Sequence, residues 1–292
     1  MIENLDRIIK KNHEIPTIHP IADEIIKNSY SKSISIQEFI KIVSCDLVLT
    51  SQVLKIVNST YFNHPRSVNT IDEALVILGF DRFQRIILAL ALYTVYSKTN
   101  IIYTAEIVKI WKHAFLTGLA IRRLSEINTE SDFGEMYSAG LLHDIGKIAL
   151  VHEFGTEYLL LIEKTNQQNV KLIDLEKNYF GYNHCEIGEA LLKDYNLPEN
   201  IVLMVRHHHT PEHFDPKDYR YSSIKTIYLG NIMAHLLEMK KQNIQGIMDI
   251  DSSFEKFFQF TSDEINDILN LIRYDLKEEQ KYINLLWQPA NE

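Results

Sequence analysis

Thr70-Ile71-Asp72-Glu73-Ala74-Leu75-Val76-Ile77-Leu78-Gly79 reads as one short amphipathic helix with both of its ends written in. Thr70 and Glu73 have the spacing of a capping box, in which a hydroxyl accepts from a first-turn N–H and a carboxylate reaches back to the helix entry. Ile71, Ala74, Leu75 and Leu78 recur at helical intervals and share one face. Gly79 follows, where a helix can end without a Cβ penalty. The same pattern recurs along the chain. Ser35 with Glu38 and Thr261 with Glu264 predict two further helix starts. Leu47, Leu54 and Val57, and later Ile265, Ile268, Leu269, Ile272 and Leu276, supply apolar faces. No stretch alternates as a half-buried strand would, and 10 Gly and 7 Pro in 292 residues leave few places for tight turns. The expected fold class is all-α.

A hydrophobic content of 46% with 24% charged residues suits a soluble globular chain with a large core. The most apolar run, Ile86 to Leu92, is flanked by Arg82, Gln84, Arg85 and Lys98. It falls short of the ~20 residues that span a bilayer, so no membrane association is expected. The opening MIENLDRIIKKNHEIP lacks a secretory signal, and Cys45 and Cys185 stand too far apart in sequence to imply a disulfide framework. Both point to the cytoplasm. A formal charge of −9 argues against a broad grip on nucleic acid. Three parts are expected: residues 13–98, residues 99–240 with the histidine site, and a helical extension over 241–292.

Leu141 to Leu150, LLHDIGKIAL, sets His143, Asp144 and Lys147 in a run that otherwise reads as helix core. Burying such groups costs several kcal/mol unless they are paired or coordinated to a metal. His113 shares a helix face with Leu116, Ala120 and Leu124, and His184 precedes Ile187 and Leu191 at the same kind of spacing. His207, His208 and His209 stand just before Thr210-Pro211, where proline ends a helix. Taken singly, these read as core or solvated histidines. Taken together, they offer imidazoles and a carboxylate, the ligand types for a divalent Fe, Mn, Zn or Ni ion.

The order His113, His143-Asp144, His184, His208-His209 resembles the HD superfamily of metal-dependent phosphohydrolases. His208-His209 is matched in preference to His207-His208 because one residue then separates the pair from proline. Residues 42–89 narrow the resemblance. Asp46, Asn58-Ser59, Tyr61-Phe62 and the Ile71, Ala74, Leu78, Gly79 element resemble the HDOD family, the HD-related output domain of bacterial signalling proteins, and IPTIHPIADEI resembles that family's opening.

The resemblance implies a multi-helix HDOD/HD-like bundle with His113, His143, Asp144, His184, His208 and His209 as metal ligands. Asn231, in IYLGNIMAHLL, stands where the superfamily's closing aspartate is expected, and as a neutral amide it is a weaker ligand. Leu47 replaces the family's proline, and TPEHF replaces the Gly-Tyr-Pro of the cyclic-dinucleotide phosphodiesterase branch.

The implied function is a non-catalytic signalling module that retains a metal site and engages a signalling protein or a nucleotide second messenger. The alternative is a metal-dependent phosphohydrolase acting on a nucleotide or cyclic dinucleotide. In that case Asp144 and Lys147 are catalytic, with Lys147 neutralising a phosphate oxygen. Lys147 otherwise reads as a surface lysine or as the ion-pair partner of Asp144. Of the remaining features, Tyr61, Phe62 and Trp111 read as core, Cys185 as a structural thiol, Arg82 and Arg85 as a solvated face, and Phe254 to Phe258 as a segment packed back on the body.

Overall fold

The computed structural model describes residues 20–31, 35–59, 62, 66–97, 103–128, 133–168, 170–239, 254, 257 and 260–286, and the regular structure among them is helical. Tyr61, Lys98, Phe258, Trp287 and most of the IPTIHP stretch lie outside the described residues. The first helices are α1 (Pro20–Ser31), α2 (Ile36–Ser44), α3 (Leu47–Val57), α4 (Ile71–Leu78) and α5 (Phe80–Ser97). The histidine-bearing part follows as α6 (Thr104–Asn128), α7 (Phe133–Leu142), α8 (Ile145–Phe154), α9 (Thr156–Gln168), α10 (Leu172–Phe180), α11 (His184–Asp194), α12 (Glu199–His207) and α13 (Tyr221–Glu238). The last helix is α14 (Ser262–Leu286).

Local chemistry sets the helix ends. Ser35 and Glu38 form a reciprocal box at α2, with Glu38 N–H donating to the serine hydroxyl at 3.2 Å and Ser35 N–H donating to the carboxylate at 2.9 Å. Thr261 and Glu264 do the same at α14. At α4 the Glu73 N–H donates to Thr70 at 3.2 Å, but the Glu73 carboxylate accepts from Asn69, one residue earlier than expected. Its other oxygen lies 3.7 Å from Arg66, which draws the carboxylate toward the preceding loop. Gly79 has φ +75° and donates its N–H to the Leu75 carbonyl at 2.8 Å. Asp46 caps α3 by accepting from Leu49 N–H at 2.9 Å. The Asn58 side chain holds the loop that follows, donating to the Leu54 and Val68 carbonyls and accepting from Val68 N–H.

One continuous apolar core runs through both halves. Phe39 meets Phe80 and Phe83 edge-on in the first half, and fully buried Trp111 stacks on Phe115 in the second. Helix α6 is the central strut and packs along α7 and α13. It crosses α7 with glycine against glycine: a Cβ on Gly140 would stand 2.6 Å from the Gly118 Cα.

Arg85, expected on a solvated face, instead pairs with Glu279 of α14 at 3.1 Å. The reason is tertiary, because α14 lays a mostly buried carboxylate across α5. Arg122 and Arg123 of α6 likewise bond Asp275. Phe254 is buried and Phe257 meets Tyr228, so the described part of that cluster packs on the body. Among the described residues, no helix is long and apolar enough to cross a membrane.

Candidate metal centre

The LLHDIGKIAL run is two helices. Helix α7 ends at Leu142 and α8 begins at Ile145, leaving His143 and Asp144 at the break. Adjacent residues within one helix diverge by about 100°, and the break removes that restriction. His143 Nε2 and Asp144 Oδ2 therefore lie 3.3 Å apart, at 0% and 1% side-chain exposure. Gly146 brings α11 to the same place. A Cβ there would lie 2.0 Å from the His184 carbonyl oxygen, so only glycine lets the first turn of α8 seat against the first residue of α11. Helix α11 starts there because Asn183 and Glu186 form a capping box, an Asn-x-x-Glu signal that the sequence carries.

The hydrogen bonds fix a proton on the Nδ1 of three of the histidine rings. His143 Nδ1 lies 2.8 Å from the Gly140 carbonyl, and His208 Nδ1 lies 2.7 Å from the Val205 carbonyl. His184 Nδ1 lies 2.7 Å from Glu176 Oε2, which also accepts the His184 backbone N–H at 2.9 Å. These oxygens can only accept, so each Nδ1 donates; burial favours the neutral ring at all three, Cys185 and Glu176 raise His184 against it, Cys185 and Asp144 raise His208, and in the neutral form each Nε2 is bare. The bare nitrogens converge. His184 Nε2 lies 3.3 Å from His208 Nε2 and 3.4 Å from Asp144 Oδ1, and His208 Nε2 lies 3.6 Å from the same oxygen. Asp144 Oδ1 and His143 Nε2 are buried and have no hydrogen-bond partner. Lone pairs and a carboxylate facing one another out of water are costly without a cation between them, so these residues fit a divalent metal ion.

Two groups that could hold a metal ion share Asp144: one with His184, His208 and His209, the other with His113 and His143. Burial and the neighbouring His208 and His113 push His143 down to about 3 despite Asp144, keeping its ring neutral. Burial alone would raise Asp144, but the Lys147 ammonium beside it holds its carboxyl well below the ordinary range. The Lys147 ammonium lies 2.7 Å from Asp144 Oδ2, the ion pair that was one of its sequence readings. His113 Nε2 faces Asn231 Oδ1 at 2.8 Å. His207 lies outside both sets with its ring against Phe214, and Cys185 flanks His208 with Sγ 3.8 Å from Nδ1.

Sequence reasoning missed Glu176, His235 and Glu238. Glu176 lies on α10, fully buried, and also accepts the Tyr158 hydroxyl at 2.6 Å. No local pattern marks it. His235 and Glu238 follow Asn231 at four and seven residues on α13, a helical spacing that could have been read.

Comparison with known proteins agrees with this architecture. The HDOD domain model matches residues 15–211. An uncharacterized protein of Treponema pallidum (strain Nichols) is 25% identical over 252 residues, covering 86% of this chain and 47% of that protein. The chain thus spans about half the length of this curated relative. An HDOD domain protein of unknown function from Geobacter sulfurreducens shares the fold with a TM-score of 0.70 at 20% identity, over 97% of both chains. A candidate phosphohydrolase from Shewanella amazonensis SB2B gives 0.64 at 18% identity over 94% of both. A candidate signal transduction protein from Marinobacter aquaeolei VT8 gives 0.66 at 19%, over 91% of this chain and 60% of that one. With the family model spanning most of the chain and the helices arranged as in these structures, this chain belongs to the HDOD domain family.

Proposed function

We propose that the chain is a cytoplasmic bacterial signalling module whose buried histidine–aspartate cluster holds a divalent metal ion without turning over a substrate. The observation that carries this reading is Asp144 Oδ1, an unpartnered carboxylate oxygen facing the bare Nε2 atoms of His184 and His208. Asp144, His184 and His208 would hold the ion with His209 beside them, and His143 faces the other Asp144 oxygen. His113 and Asn231 lie at the edge. A bound ion would supply a fixed positive charge joining helix ends and, with an open coordination position, Lewis acidity.

Two features favour regulation over hydrolysis. His143, Asp144, His184 and His208 are at most 1% exposed, which leaves a phosphoester no approach without rearrangement. Asn231 brings no charge to the position where the HD pattern calls for an aspartate, and its oxygen is engaged by His113. Output then passes through binding, to a signalling protein or a nucleotide second messenger. A phosphohydrolase is the second reading, favoured by Lys147, whose side chain keeps 12% exposure beside Asp144 and could meet a phosphate oxygen. Incubation with Mn²⁺ or Fe²⁺ and a panel of nucleotides and cyclic dinucleotides separates the two. The regulatory reading expects no product. Product formation that Asp144→Ala abolishes would overturn it.

A further inference from the structure

His113 also faces outward. Its ring stacks on His235 of α13 with centroids 4.2 Å apart and planes 28° from parallel. The two Nδ1 atoms converge on one oxygen, Glu238 Oε2, at 3.1 Å from His113 and 3.4 Å from His235. The three residues place one ligand atom each within a 4.8 Å span. His235 and Glu238 are three residues apart on one helix, so they present from the same face, and His113 completes the set from α6. His235 and Glu238 each keep 34% side-chain exposure, against at most 1% for the core of the inner cluster. Three donors, two imidazoles and a carboxylate at the water's edge, suit a transition metal that keeps water in its remaining positions.

We propose that His113, His235 and Glu238 form a second, solvent-edge site for a divalent transition-metal ion, distinct from the buried cluster and in exchange with the medium. His113 Nδ1 serves this site while its Nε2 faces Asn231, so the residue joins the outer site to the edge of the inner one. The outer set uses neither Asp144 nor His143 and shares only His113 with the inner residues, through the other ring nitrogen, so Asp144→Ala disturbs the buried metal without removing an outer ligand.

Titration of tag-free protein with Co²⁺, followed by calorimetry and by the visible spectrum of the bound ion, tests the proposal. Wild type should take up a rapidly exchanging ion, removed by brief chelator treatment, that Asp144→Ala retains. Glu238→Gln and His235→Gln, both at partly exposed positions, should each weaken that ion by about tenfold or more and leave any buried equivalent in place. Circular dichroism melting would verify that both variants fold. Equal Co²⁺ uptake by wild type and both variants would overturn the outer site. Loss of the inner equivalent alone in Asp144→Ala would leave it standing.

Discussion

Glu176 decides how His184 is presented. One buried carboxylate takes the His184 backbone N–H, its Nδ1–H and the Tyr158 hydroxyl, so it orients the imidazole and strengthens it as a ligand. Glu176→Gln keeps an acceptor oxygen but removes the charge. Metal affinity measured by chelator competition should fall about 10- to 100-fold, with a much smaller change in unfolding free energy. Glu176→Ala strands three buried donors, and urea unfolding should show a loss of about 3 kcal/mol. Unchanged affinity in the Gln variant would mean that the Glu176 charge does not strengthen His184 and that its hydrogen bonds alone orient the ring. The candidate ligands and their order were legible from the resemblance to the HD superfamily, with His113 and His184 also set on apolar helix faces. Glu176 was not, because its partner lies eight residues on, beyond the Gly181 turn, and only the fold brings the two together.

Helix ends set the geometry of the centre. The break between α7 and α8 turns His143 and Asp144 to the same side, and Gly146 admits the start of α11. Gly146→Ala drives a methyl group into the His184 carbonyl, backbone against backbone, which should cost about 2–3 kcal/mol and reduce metal content in parallel. Thr70→Ala, at a cap far along the chain, should cost about 1 kcal/mol and leave metal content unchanged. Melting and elemental analysis of both variants check the contrast, and equal metal content would argue against the role given to Gly146. The caps at Ser35, Thr70 and Thr261 were readable because a cap is a local event within four residues. The break at His143 was not, since apolar residues flank His143 and Asp144 on both sides and periodicity alone cannot locate a bend between two buried helices.

At the scale of the whole molecule, α14 lies beyond the matched residues 15–211 yet completes the core. Ile265, Ile268, Leu269 and Ile272 are buried, and Asp275 and Glu279 engage arginines on α5 and α6. Four such side chains contribute about 8 kcal/mol, comparable with the whole stability of a domain. A chain ending at residue 260 should therefore lose cooperative unfolding, and a truncated protein melting like the full chain would contradict this. The apolar face of α14 was legible from its spacing, but its ion pairs were not, because each partner lies more than 150 residues away.

On the proposed reading, the buried cluster exists to hold a metal. Elemental analysis of protein purified without a histidine tag, beside His143→Ala and Asp144→Ala, tests it most directly. A stoichiometric divalent transition metal that survives brief chelator treatment is expected in the unaltered chain, and its loss with a lowered melting temperature in Asp144→Ala. A metal-free unaltered protein whose stability neither substitution changes would contradict it.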